Sequence, residues 1–429
     1  MDINSLVDAL KNCPCGREHK IDIKAVEIAS GLLAKTAELL NHCNFPKKIL
    51  LVADKNTLAA SNGIIGVLEN GGFEVKRMIF ENLRTADVTD AAAVAENSAD
   101  CGGILSVGTG SLNDICRLAS LNADKRFAIF ATAPSMDGFA SGTSPITENG
   151  FKKTVPARQP EIIIADTKIL AASPPELKSA GFGDMVAKYI ALVDWRVSAL
   201  VTGEYYCESV CRVTREALKK ISALADKVTL NNEAAAGAVM ESLVLTGLAM
   251  KLAGCVRPAS GTEHMISHFW EVKKLEEGLI SDFHGKKVGV ATLITAKLYN
   301  RLKEIPQMTF HADSTDWQRV YAAYGTALSE SVRPLNSPTV TDETTPEILA
   351  ESWQSIRRII AEELPEYDAL YSLMKKAGCV TTLAEIAVPP SLGLLGAEFH
   401  PYMRHRLTLQ RLLPMMDYTV DYKELLEGF

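Results

Sequence analysis

The first 170 residues carry short, unbroken apolar runs: KILLVAD (48–54), CGGILSVGTG (101–110), FAIFATAPS (127–135) and EIIIADTKI (161–169). A run without a polar face suits a strand covered on both sides, as in a parallel sheet. FEVKRMIF (73–80) reads as a further strand. Between them lie stretches with helical spacing. NTLAASNGIIGVLENGG closes on glycines, and TADVTDAAAVAENSA opens on Thr or Asp as a cap. Strands alternating with helices predict an open, mostly parallel α/β sheet. After SPPEL (173–177) the pattern changes, and long helical stretches follow with almost no strand candidates. They include SAGFGDMVAKYIALVDWR, CESVCRVTREALKKISALAD and KVGVATLITAKLYNRLKE. The expected division is an α/β domain over 1–174, with 1–45 as an N-terminal extension, and an all-helical domain over 175–429.

A chain of 429 residues exceeds what one ordinary core can bury, which agrees with two domains. Its formal net charge is −7, and it has no basic stripe, so nucleic acid is not an expected partner. Nine cysteines, an odd number dispersed among apolar residues, read as reduced thiols of a cytoplasmic protein. The opening MDINSLVDALKN has no charged-then-apolar leader. The most apolar stretch, EAAAGAVMESLVLTGLAMKLAG, contains Glu241 and Lys251 and reads as a buried helix rather than a membrane span.

Two segments point to a nucleotide. In SVGTGSLNDICRLAS, Gly108 and Gly110 follow a strand and open a helix. Glycines there let backbone approach a ligand, and the helix N-terminus attracts phosphate. The GxGxxG fingerprint is incomplete, because Asn113 stands where the third glycine would be. Asp54, ending an earlier strand, suits a ribose diol. In ATAPSMDGFASG, Thr132 and Ser135 offer hydroxyls at a strand's carboxyl edge, and Asp137 lies in an Asp-Gly turn.

A third group of residues has metal-ligand chemistry. His264 and His268 are four apart and share one face of a helix, and His284 precedes Gly285 and another helix. Asp184 follows two glycines at what reads as a helix start. One carboxylate with two or three imidazoles can hold Zn²⁺ or a similar ion, and a catalytic site uses three protein ligands. One histidine is then surplus. On spacing alone, unrelated polar or buried histidines are the commoner reading. CPCGREH offers Cys13, Cys15 and His19, three donors with no fourth nearby in sequence, and reads as a turn or strand connection, with a structural zinc as the lesser alternative. Cys207 and Cys211 read as core packing on a helix.

Taken in order, VGTGSLNDICR, ATAPSMDGFAS, GFGDMVAK, RPASGTEHMISH and DFHGKKVG resemble the glycerol-1-phosphate dehydrogenases. These sit in the superfamily of iron-type alcohol dehydrogenases, glycerol dehydrogenases and dehydroquinate synthases. The resemblance runs from about residue 20 to about residue 305. It implies an N-terminal Rossmann-like sheet domain, a C-terminal helical domain, and an active site in the cleft of the dehydroquinate synthase-like fold. It further implies NAD or NADP over Gly108, Thr109, Gly110, Ser111 and Leu112. Other implied cofactor contacts are Thr132, Ala133, Pro134, Ser135 and Ser141, with Asp54 as the cofactor-binding acid. A divalent metal, zinc first with nickel or iron as alternatives, would sit on Asp184, His264 and His284.

Asp137, Asp184 and His268 would face a small phosphorylated substrate, with His268 and Asp137 catalytic. His268, at a near-neutral pKa, would be the proton donor or relay. Lys152, Lys153, Arg158 and Arg257 are candidates for the substrate phosphate. A homo-oligomer, a dimer or larger, is also implied. The CPCGREH segment looks like the bacterial members, and Thr109 interrupts the superfamily's commoner GGG turn. Alternatives within the superfamily are a glycerol dehydrogenase and a dehydroquinate-synthase-like NAD-dependent cyclase. A catalytically silent nucleotide-binding module is the reading from outside enzymes.

Overall fold

The computed structural model describes residues 8–148 and 151–429. Most of the leader-free reading of MDINSLVDALKN falls on residues 1–7, outside the described residues. A six-stranded, all-parallel sheet is built from β1 (Ala25–Ala29), β2 (Lys48–Asp54), β3 (Glu74–Phe80), β4 (Gly103–Gly108), β5 (Arg126–Ala131) and β8 (Ile162–Asp166). The strand order is β1-β8-β5-β4-β2-β3. β6 (Thr143–Glu148) and β7 (Phe151–Pro156) form a separate antiparallel hairpin.

The apolar runs have the reason expected of them. Successive strand side chains point to opposite faces, so a strand covered on both faces feeds two cores. Leu50 and Val52 enter one core, and Ile49, Leu51 and Ala53 enter the other. Ile163 and Ile162 divide in the same way. β1 and the hairpin were not legible as strands. β1 is a five-residue edge strand with only Val26 buried, and the hairpin carries Pro145 and Pro156 in a half-polar pattern.

By contacts the chain forms two compact units, and the first is discontinuous: Met1–Met185 with Ser209–Cys255. The second is Val186–Glu208 with Val256–Phe429. The expected single boundary at 174/175 is therefore not how the contacts divide. The helix α5 (Glu233–Ala253) explains the difference, because it lends Ala236, Met240, Val244 and Leu248 to one of the two sheet cores. It is also the one described helix long and apolar enough to cross a membrane, and most of it is buried in the protein. That agrees with its reading as a core helix.

Four further helices matter below. They are α1 (Gly110–Asn122), α2 (Pro175–Val186), α3 (Lys188–Thr202) and α4 (Glu208–Ser222). Of these, α3 belongs wholly to the second unit. The second unit contributes α6 (Thr262–Glu276) and α7 (His284–Lys303). Among its described residues there is no strand pair beyond the single bridge of Phe310 and Met416.

Candidate active site

In the first unit the sheet reverses its winding at β2, with β3 on one side and β4 on the other. Ligands of open parallel sheets bind beyond the carboxyl ends of the strands flanking such a reversal. Those ends are Asp54 and Gly108. Gly110, with φ +25°, opens α1, and a methyl group built on it would meet nothing within 4 Å. The first amides of a helix have no intrahelical acceptor, so α1 presents donors over open space. The Thr109 hydroxyl bonds that of Ser135, the Ser111 hydroxyl donates to the Arg84 carbonyl, and the Thr132 amide donates to the Gly108 carbonyl. The two expected cofactor segments are thus stitched together. Ala133 and Leu112 are buried, and Ser141 bonds Thr143. Asn113 accepts the Ser106 hydroxyl within the core, which anchors α1 where a third glycine would otherwise pack.

Asp54 is used structurally. One carboxylate oxygen caps the next helix through the Thr57 amide (2.8 Å), and the other meets the Leu83 amide at 3.4 Å. Pro134 explains a second glycine. A methyl group on Gly181 of α2 would fall 1.9 Å from the Pro134 carbonyl oxygen, so only glycine lets α2 lie against the TAPS segment. Asp184 follows one turn later inside α2 rather than at its start. It is fully buried and accepts the Asp137 amide at 2.9 Å. Buried Arg117 holds the same turn through the Gly138 and Thr143 carbonyls.

In the second unit His264 and His268 lie on α6 and His284 opens α7. The ring centroids are 5.2 Å apart for His264–His284 and 5.8 Å for His268–His284. Asp184, His264 and His284 each offer one ligand atom, and the three atoms lie within 4.8 Å of one another. His264 Nδ1 is 2.6 Å from a carboxylate oxygen of buried Glu263, which leaves Nε2 for a metal. Glu263 also accepts the Gly261 amide. Asp194 of α3 fixes the head of α6 by accepting the Thr262 amide, the Tyr299 hydroxyl and the Leu409 amide. Burial pushes the Asp194 carboxyl up to about 6.

Sequence reasoning missed Glu263, Asp194 and Tyr299. Their one trace was the Glu-His pair in TEHMISH, and adjacent helical residues do not ordinarily face each other.

His268 corrects one expectation. Burial, then the neighbouring His284, holds its pKa well below the ordinary histidine range rather than near neutrality. It is a neutral imidazole at pH 7, fit to pass a proton from one nitrogen to the other rather than to store one. The expected phosphate cations fare unevenly. Arg257 is buried against Glu204 and the Leu407 carbonyl, Lys153 pairs with Glu148, and Arg158 pairs with Asp124. Arg404, which sequence reasoning did not single out, lies close enough to His268 for its charge to lower that pKa.

A parallel sheet with an open glycine turn, together with a carboxylate and two imidazoles, one of them oriented by Glu263, is the combination of the metal-dependent dinucleotide dehydrogenases. Residues 27–174 match the sequence profile of the iron-containing alcohol dehydrogenases. The fold is that of a probable glycerol dehydrogenase from Sinorhizobium meliloti (TM-score 0.62, 16% identity, 94% of each chain). A glycerol-1-phosphate dehydrogenase [NAD(P)+] of Geobacillus stearothermophilus is 30% identical over 95% of this chain and 96% of its own. That of Geobacillus thermodenitrificans is 32% identical over 78% of this chain and 85% of its own. The chain belongs to the glycerol-1-phosphate dehydrogenase family.

Proposed function

We propose that the protein interconverts dihydroxyacetone phosphate and sn-glycerol 1-phosphate, with NAD or NADP and one divalent cation on Asp184, His264 and His284. The observation that carries this reading is the convergence of those three donors, one of them oriented by Glu263. An oxygen and two imidazole nitrogens suit zinc, nickel or iron(II) and leave room for substrate. When bound, the cation would polarise the ketone as a Lewis acid, and the nicotinamide would carry the hydride.

The chain's own residues do the rest. Gly108, Thr109, Gly110, Ser111 and Leu112 offer amides to the pyrophosphate, beside Thr132, Ala133, Pro134, Ser135 and Ser141. Asp54 is proposed for the ribose, through lone pairs that its cap leaves over. Glu263 fixes the tautomer of His264, and neutral His268 relays the proton exchanged at the carbinol oxygen. Asp137, set by the hydrogen bond its backbone amide donates to the Asp184 carboxylate, faces substrate in this reading. Arg404 supplies positive charge for the substrate phosphate. The same reading puts the protein in the cytoplasm, as an assembly of two or more copies.

The test is an assay of dihydroxyacetone phosphate reduction with NADH and with NADPH, on protein loaded separately with zinc, nickel and iron, with the product stereoisomer determined. The expected outcome is net cofactor oxidation and the sn-1 product. Faster turnover of unphosphorylated dihydroxyacetone would replace the reading with a glycerol dehydrogenase. Turnover without net cofactor oxidation would replace it with a cyclase.

A further inference from the structure

CPCGREH has no role in the dehydrogenase site, and the structure gives it a fourth donor that its neighbouring sequence lacks. Cys13, Cys15, His19 and Cys207 offer ligand atoms that all lie within 4.8 Å of one another. Cys207 is not on a helix, as its spacing from Cys211 suggested. It immediately precedes Glu208, the first residue of α4, and is fully buried. It therefore stands two residues before Ser209, where the chain has rejoined the first unit. We propose that these four residues form a structural zinc site, separate from the dehydrogenase metal.

Three observations carry the assignment. The donor set is three sulfurs and one imidazole, the closed tetrahedral complement of structural zinc. Zn–S bonds of about 2.3 Å put neighbouring sulfurs of a tetrahedron about 3.8 Å apart, so atoms within 4.8 Å need only small rotamer adjustments. The Cys15 Sγ already lies 3.3 Å from His19 Nε2.

The second observation is the tautomer. Buried His19 directs Nδ1 at the Leu252 carbonyl of α5, 2.7 Å away. Nδ1 therefore carries the proton, and Nε2 is the nitrogen turned to the sulfurs. A backbone carbonyl behind a ligating histidine is the usual second partner of a zinc imidazole. The third is the turn. Gly16, with φ +74°, closes it through its amide to the Cys13 carbonyl, which brings Cys13 and Cys15 to one side and lets the chain run back to His19. Loading the site would convert three thiols to thiolates and release their protons, with no change of oxidation state.

The site would clip residues 13–19, which lead into edge strand β1, to the end of α5 and the head of α4. Residues 13 and 207 are far apart in sequence, so the metal would constrain much of the unfolded chain.

The test uses the full-length protein and counts zinc in the wild type, His264→Ala and Cys207→Ser. His264→Ala should keep one equivalent of zinc, whose X-ray absorption fine structure gives three sulfurs and one nitrogen. Cys207→Ser should lose that equivalent and melt more than about 5 °C lower. Zinc-free His264→Ala, or zinc without sulfur neighbours, overturns the assignment. Should Cys207→Ser fail to fold, alkylation of the wild type decides. Cys13, Cys15 and Cys207 should react at least about 10-fold faster after 1,10-phenanthroline, and equal rates overturn the site. Zinc and thiols are read rather than turnover, so this test stands apart from that of the dehydrogenase reading.

Discussion

Asp184, His264 and His284 offer one carboxylate and two imidazoles; Cys13, Cys15, His19 and Cys207 offer three thiols and one imidazole. Both sets converge within the same 4.8 Å, yet their chemistry differs in kind. Three oxygen and nitrogen donors leave a tetrahedral cation one position short, which substrate can fill. Four donors, three of them sulfur, complete the sphere and leave nothing for chemistry. In each, a histidine is fixed from behind, by the Glu263 carboxylate in one and the Leu252 carbonyl in the other. A charged partner makes the imidazole more basic and tunes a working metal, while a carbonyl merely orients it.

His264→Ala tests the open set most severely. It should abolish retention of the dehydrogenase metal and lower kcat by at least about 10³-fold, since the cation supplies several kcal/mol of charge stabilisation. Elemental analysis beside steady-state rates checks it, and unchanged content of that metal would remove Asp184, His264 and His284 as a ligand set. His268→Ala should behave differently, keeping the metal and losing about 10²- to 10⁴-fold in kcat as a proton-transfer group does. If the metal leaves with His268, the surplus histidine is a ligand and the comparison must be redrawn.

Glu263→Gln keeps the shape behind His264 and removes the charge. Its expected cost is about 10- to 100-fold in metal affinity, with kcat restored at saturating metal. A metal titration of activity reads both quantities. Affinity equal to wild type would mean that the carboxylate only orients the ring, as the Leu252 carbonyl does for His19.

Legibility in the sequence followed locality. KILLVAD and EIIIAD announce buried parallel strands because each residue faces one core or the other. His264 and His268 share a helix face by spacing alone, and Gly108 and Gly110 mark their turn. What failed was whatever depends on distant partners. Cys207 comes within 4.8 Å of Cys13 only in the fold, far along the sequence, so CPCGREH looked one donor short. α5 belongs to the sheet's core although it lies among helices in sequence, so the expected boundary fell at 174/175. The pKa of His268 is set by burial and by His284, neither of which a motif displays.

His400 supplies the control for all of these histidines. It too directs Nδ1 at a carbonyl, that of Gly396 (2.8 Å), and it too is fully buried. Its Nε2 has no hydrogen-bond partner, and neither candidate metal cluster includes it. Burial outweighs the backbone hydrogen bonds at Gly396 and Ala397, which pull the other way, and lowers its pKa to about 3. The sign follows from proton counting. Between pH 6.5 and 3 the unfolded chain binds a proton that the folded chain refuses, so stability falls as pH falls through this window and is unaffected above it. From pH 6.5 to 5 the loss is about 2 kcal/mol, at 1.36 kcal/mol per unit. His400→Gln should flatten that part of the ramp, read as the difference in denaturant unfolding between variant and wild type at pH 7 and pH 5. Metal content should not change, because neither candidate metal cluster among the described residues includes His400. An equal ramp in both chains would mean that His400 is protonated in the fold, and burial alone would then not explain a neutral histidine in this protein.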